Sequence, residues 1–351
     1  GPVGVGEGMP AAVRAQELGV PLILLSRAEG ATLVGDYVFR NSLTNSQQGR
    51  ALARYAAEVL GVKAAAVLAP ELLSGEEMSY AFWDGFEKLG GEIRGYEKYA
   101  HDQTTFAMPI KKLVARNNIA DRAEFQAEAK RLAETESNAF RRRKLLEKLA
   151  SAQAPIVDFD VLVIPDIHRT VSLIAPALAV EDVITNGCDE KEMERIRKTT
   201  KRPDLRPVTL LGGAGWNSQD LVTRGGGYVK CSVFVDGFYA ASSREATKTF
   251  VTDFEEQLQR KPGLLEAQAY DTARIVRDVL GRRPANRQEL RDMLTTIRKF
   301  PGVTGDTTFG PTREADKPLF FLNVSKLGIV EMPEVVLSPD AVAVPSARAM
   351  N

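Results

Sequence analysis

Short apolar runs recur along the chain, and amphipathic stretches fill the intervals between them. Residues 20–26 (VPLILLS), 63–69 (KAAAVLA), 160–165 (DVLVIP) and 208–211 are apolar at consecutive positions and bounded by Gly, Pro or charge. Runs of this length without alternation predict strands covered on both faces, as in a parallel sheet. Leu52, Tyr55, Ala56, Val59 and Leu60 recur at helical spacing before Gly61, and Met78, Phe82, Phe86 and Leu89 do so before Gly90 and Gly91. Residues 92–99 read as the next strand, and 106–114 and 171–178 as helices. Phe250, Phe254 and Leu258 mark a later helix, and Ala269, Ala273, Val276 and Leu280 another. Alternation across 318–324 and 326–332 predicts a terminal hairpin. Strands alternating with helices at this spacing imply right-handed crossovers, so the fold class is α/β with parallel sheets covered by helices.

One segment breaks the rhythm. Residues 115–154 are highly charged, include Arg141-Arg142-Arg143-Lys144, and place Phe125, Ala129 and Leu132 at helical spacing, with Leu145, Leu146 and Leu149 further on. This reads as an inserted helical pair, either solvated or serving as a docking surface for a protein partner. The tail after Pro333, which becomes rich in Ala, Pro and Ser, is expected to be poorly ordered.

Composition narrows the function classes. A chain of 351 residues suits two α/β lobes. Its 46 basic and 46 acidic side chains cancel, leaving no global field to gather nucleic acid or an anionic membrane surface. No apolar run is long enough to span a bilayer. Residues 1–8 carry no basic-then-apolar signal, so any targeting segment is expected to lie outside this sequence. Cys188 and Cys231 fit neither a disulfide scaffold nor a zinc motif, and one bridge or two buried thiols are both open.

Candidate chemistry is sparse. His101 and His168 are the only histidines and no G-x-S-x-G elbow is present, which disfavours a serine hydrolase. Gly4-Val5-Gly6-Glu7-Gly8 lacks the dinucleotide-binding spacing, and there is no P-loop. Neither a cofactor nor a metal is expected, since no cluster shows ligand spacing. Two features remain: His168 shortly after the strand ending at Pro165, and Gly212-Gly213-Ala214-Gly215-Trp216 after the next strand, both where α/β proteins place ligand-facing residues. An enzyme using Asp166 and His168 as an acid–base pair is the alternative from another class.

The order of GPVGVGEG, QELGVPLILLSRAEG, YVFRNSLTNSQQG, AAAVLAP with SGEEMSYAFWDGFEKLGGEI, and later VDGFYAASS and GLLEAQAYDTARIV resembles the type I periplasmic binding proteins. These are the leucine/isoleucine/valine-binding receptors of ABC transporters. The charged insert and DFDVLVIPDIHRTVSLIAPAL look most like the divergent branch of penicillin-binding-protein activators, outer-membrane lipoproteins that stimulate peptidoglycan synthases. The resemblance implies two lobes joined by three crossings, near 37–41, 233–237 and Pro301. Lobe 1 would comprise 1–38 and 236–300, without its first strands and helices. Lobe 2 would comprise 39–235 and 301–333 with the insert 115–154, and 334–351 would form the tail. It further implies a non-catalytic, periplasmic protein, either free or anchored as an outer-membrane lipoprotein. Its partners would be a small-molecule ligand and either an ABC permease or a peptidoglycan synthase.

Departures from the family pattern bear on the ligand. The hydroxyl residue that grips an amino-acid carboxylate is replaced by Val5, small and hydroxyl positions become Ala28 and Gly30, and the acid facing the ligand ammonium becomes Ala214. An aromatic from the second lobe is replaced by Leu73 or Ser74. An ammonium buried without a counter-charge would cost several kcal/mol, so a free α-amino acid is disfavoured as ligand. The candidate ligand-binding residues are Val5, Ser26, Ala28, Gly30, Ser74, His168, Ala214 and Trp216.

Overall fold

The apolar runs do form strands, each packed on both faces. The structure, a computed structural model, describes residues 2–333 and 335–338. In chain order its elements begin with α1 (Val5–Glu17), β1 (Leu22–Leu24), β2 (Val38–Arg40), α2 (Asn45–Arg54, continued by a π turn), β3 (Ala64–Pro70), α3 (Leu73–Lys88), β4 (Glu92–Tyr99) and α4 (Ala107–Leu113). There follow α5 (Ala123–Thr135), α6 (Ala139–Ala152), β5 (Val161–Val163), α7 (His168–Val180), α8 (Glu190–Thr200), β6 (Thr209–Gly212), α9 (Gln219–Gly225) and β7 (Val233–Asp236). The chain then forms α10 (Glu245–Leu258), α11 (Leu264–Gly281), α12 (Arg287–Thr295), β8 (Thr308–Phe309), β9 (Ala315–Asp316), β10 (Phe320–Ser325) and β11 (Gly328–Glu331).

Two main sheets result. The larger has the order β11-β10-β7-β6-β5-β3-β4, parallel except for the antiparallel β10 and β11 at one edge. Alternate residues supply opposite faces: Leu68, Leu162, Leu210, Phe234 and Leu322 enter one core, while Val67, Val163, Leu211, Val235 and Phe321 enter the other. A strand buried on both sides has no polar face, hence the unbroken apolar runs. On the second side α2 lies so close to α3 that a Cβ at Gly49 would fall 2.3 Å from the Met78 carbonyl oxygen. The smaller sheet, β1 parallel to β2, lies between α1 on one face and α11 and α12 on the other.

Three crossings join the lobes among the described residues. The first, 41–44, ends in a capping box in which Thr44 and Gln47 exchange side-chain hydrogen bonds of 3.0 Å with each other's backbone N–H and so start α2. The second follows β7 at 236–238. The third corrects the sequence reading. Phe309 and Ala315 pack with Phe39 and Ile275, so 301–316 lies with the first lobe and the chain crosses at 316–319 rather than near Pro301. The Pro-Gly pair was a turn, not a boundary.

Other expectations also change. The Gly-rich start is a helix, α1, and α8, α9 and α12 are helices without a strong apolar stripe in the sequence. Residues 335–338 are tied down, with Val335 and Leu337 against the large sheet's core and the Ser338 N–H on Glu58; Glu334 and 339–351 lie outside the described residues. Cys188 and Cys231 form a disulfide with their Cα atoms 5.5 Å apart, settling the alternative left open above. The insert is indeed a helical pair, α5 and α6, with no buried side chain among those described.

Candidate ligand-binding site

A cavity of about 560 Å3 lies between the lobes, at the carboxyl ends of β6 and β7, where open parallel sheets place their ligand sites. Its floor is the loop after β6 (Ala214, Asn217, Ser218) and the start of the second crossing (Asp236, Phe238). The first lobe contributes Arg27 from the turn after β1, Val251 of α10 and Lys261 at the α10–α11 turn.

Arg27 is exposed, and its backbone is fixed on both sides. Ser26 Oγ donates to the Gly4 carbonyl (3.1 Å) and accepts from the Ala28 N–H (3.2 Å). The buried Arg40 guanidinium donates to the Ala28 carbonyl, while its Nε holds Glu314 at 2.6 Å. Gly8 of α1 packs on this turn, since a Cβ there would lie 2.8 Å from Ser26 Oγ.

Asp236 is the only carboxylate lining the cavity among the described residues. Burial pushes its carboxyl up to about 6, opposed by hydrogen bonds from Asn217 Nδ2 (2.8 Å) and the Gly237 (2.6 Å) and Phe238 (3.4 Å) N–H groups, and by the charge of Arg27. Its oxygens are therefore already occupied by donors that the protein provides. With Arg27 and Lys261 at the rim, a group bound here meets two cations and one carboxylate that is partly protonated in mild acid.

Of the sequence candidates, Ala214 lines this cavity; its N–H donates to Gln48 Oε1 at 2.7 Å. Ser26 and Ala28 shape the Arg27 turn from behind and are themselves buried. Gly30, left-handed at φ 74°, ends that turn. His168 opens α7 and meets the Gly215 carbonyl through Nδ1 at 3.3 Å, beside the floor loop. Val5 and Ser74 are exposed on the first turns of α1 and α3, away from the cavity lining. Trp216 is fully buried, packs on Phe234 and donates Nε1–H to the Ile164 carbonyl, so it is a core residue and not part of the cavity wall. Asp166 accepts from Tyr99 OH (2.7 Å) and the Ile167 N–H (2.6 Å) and makes no hydrogen bond to His168, so the acid–base pair is not assembled.

Sequence reasoning missed Arg27 and Asp236. A lone Arg between Ser26 and Ala28 carries no pattern, but an Asp closing the apolar run VFVD just before Gly237 was a readable signal.

Comparison with known proteins fits this architecture. Residues 1–118 match the family described as periplasmic binding protein. None of the curated proteins compared with the chain matches it. Among solved structures, the leucine-binding protein LivK of Thermotoga maritima superposes with a TM-score of 0.61 at 19% identity, over 97% of this chain and 79% of that one. The Streptococcus pneumoniae substrate-binding protein LivJ in complex with isoleucine gives 0.57 at 19% identity, over 95% and 78%. A solute-binding protein of an R. palustris ABC transporter in complex with benzoate gives 0.61 at 17% identity, over 99% and 78%. The chain has the two-lobed fold of the type I periplasmic binding proteins, and its first 118 residues match the periplasmic binding protein family.

Proposed function

We propose that the protein is an extracytoplasmic, non-catalytic solute-binding component of an ABC-type transporter whose lobes close on a small carboxylate without an α-ammonium group. The observation that carries this reading is the cavity between the lobes, where Arg27 and Lys261 face a single carboxylate that is hydrogen-bonded by the protein itself. An ammonium would find no free counter-charge there, whereas a carboxylate would pair with Arg27. The fold similarity to receptors crystallised with isoleucine and with benzoate supports a carboxylate-bearing solute of that size. The Cys188–Cys231 disulfide supports an oxidising compartment. Lobe closure would trap the ligand, and an ABC permease would receive the closed form.

The second reading is a penicillin-binding-protein activator, anchored as a lipoprotein, that docks a peptidoglycan synthase. It is favoured by the helical pair α5–α6, which carries exposed Phe140 and the basic run 141–144. Calorimetry with a panel of amino acids, aromatic carboxylates and peptidoglycan fragments separates the readings. The expected result is saturable binding of a carboxylate that Arg27→Ala weakens about tenfold. Tight binding of free amino acids, or no small-molecule binding together with α6-dependent capture of a synthase, would overturn it.

A further inference from the structure

A second cavity, of about 240 Å3, lies against the same crossing segments as the interlobe cavity. Each crossing supplies part of its wall: Ser42 and Leu43 from the first, Gly237 from the second, and Lys317 and Leu319 from the third. Along the second crossing the residues alternate, Asp236 and Phe238 lining the interlobe cavity and Gly237 lining this one. The chain bends at Gly237, just after β7, and this segment of polypeptide is the partition between the two spaces.

Two donors in the wall are short of acceptors. Lys317 Nζ donates to Thr304 Oγ1 at 2.6 Å, its one hydrogen bond among the described residues. That hydroxyl in turn donates to Asp271 Oδ2 at 2.5 Å, and Asp271 also takes the Val303 and Thr304 N–H groups, so its charge is already shared. Burial pushes the Lys317 ammonium down to about 8, with the Asp271 charge acting the other way. Arg54, which lines the same space, has a buried Nε–H with no acceptor. Two acids also line the space: Glu314 gives one oxygen to Arg40 and the other to Thr32, and Asp316, beside Lys317, is exposed and makes no hydrogen bond to Lys317 or Arg54 among the described residues. Leu43, Ala51 and Leu319 make the rest of the wall apolar. Buried donors left without partners cost free energy, which an acceptor-rich anion would recover.

We propose that this hinge-side cavity is a second ligand site, distinct from the interlobe one, which takes a short-chain carboxylate with its oxygens on Lys317 and Arg54 and its chain on Leu43 and Leu319. A ligand bound to all three crossings at once senses the angle between the lobes, so its occupancy is coupled to closure on the other side of the partition, reciprocally.

The test is a titration of the full chain with sodium butyrate, followed by backbone amide NMR. In the wild type the Thr304 and Leu43 signals are expected to shift saturably. Lys317→Met should weaken that response about tenfold or more, whereas Arg27→Ala should leave it saturable with its midpoint moved by no more than about threefold, the size of the coupling, while changing the response of Asn217, Ser218 and Phe238, which report on the interlobe cavity. Should Lys317→Met fail to fold, raising the pH of the wild type from neutral to about 9.5 neutralises the ammonium and should abolish the same shifts. The proposal is overturned if those signals do not move, if they move equally in Lys317→Met or at high pH, or if inorganic phosphate shifts them with the same affinity. Because the two cavities report on different amides, loss of one reading leaves the other standing.

Discussion

The two lobes are held together by different means. In the second lobe, seven strands present apolar residues to both faces, and its largest buried side chains, among them Phe82, Phe86, Phe159, Trp216 and Phe234, fill two continuous cores. In the first lobe the described strands β1 and β2 pair between apolar clusters, and buried charged groups lie beside them. Arg40, 3% exposed, bridges Glu314 and the Ala28 carbonyl, and the fully buried Asp271 gathers the Val303–Thr304 turn. Such directional polar contacts fix the geometry of the turns they join. The turn carrying Arg27 is one of the things they fix.

The comparison is open to measurement. The largest effect is expected in the second lobe, where Phe234→Ala should cost about 4 kcal/mol in urea unfolding by opening a cavity in a core with no polar substitute. A loss below about 1 kcal/mol would mean that the large sheet is not packed as described. In the first lobe, Arg40→Met should cost about 3 kcal/mol, because Glu314 and Glu29 lose their buried cation. Unlike the Phe234 variant, it should also weaken carboxylate binding, about tenfold, because the Arg27 turn loses its anchor. Equal affinity in both variants would separate that turn from the network. The smallest effect is that of pH. The Asp236 carboxyl, raised to about 6 by burial, is mostly ionised at pH 7.5 and mostly protonated at pH 5.5. Protonation removes a negative charge beside an anionic ligand, so affinity should rise about threefold as the pH falls through that range. An affinity that falls instead would place the ligand's charge away from Asp236.

The same contrast explains what the sequence made legible. Strands β3, β5 and β6 were readable because burial on both faces leaves unbroken runs such as AAAVLAP and VLV. Helix α8 was not, because only Met193 in it is buried, Ile196 is partly so and its other positions are polar, and α1 was hidden by Gly6, Gly8 and Pro10. The third crossing was misplaced because Phe309 and Ala315 meet their partners in β2 and α11 only in three dimensions. For the cavity, Ala214 was found from its place after a strand, whereas Arg27 gains significance only from Arg40, Ser26 and Gly4, which share no local pattern with it.

The base of the α5–α6 pair has a practical corollary. The Ile156 N–H donates to the Val114 carbonyl at 3.0 Å, and Arg122 ties the Ala115 and Ala154 carbonyls together, so the polypeptide leaves and rejoins the lobe at a single point. Some forty residues thus form a detachable cassette: a short Gly-Ser bridge in its place would leave the sheet's register undisturbed, and a different module could be grafted onto the same stem.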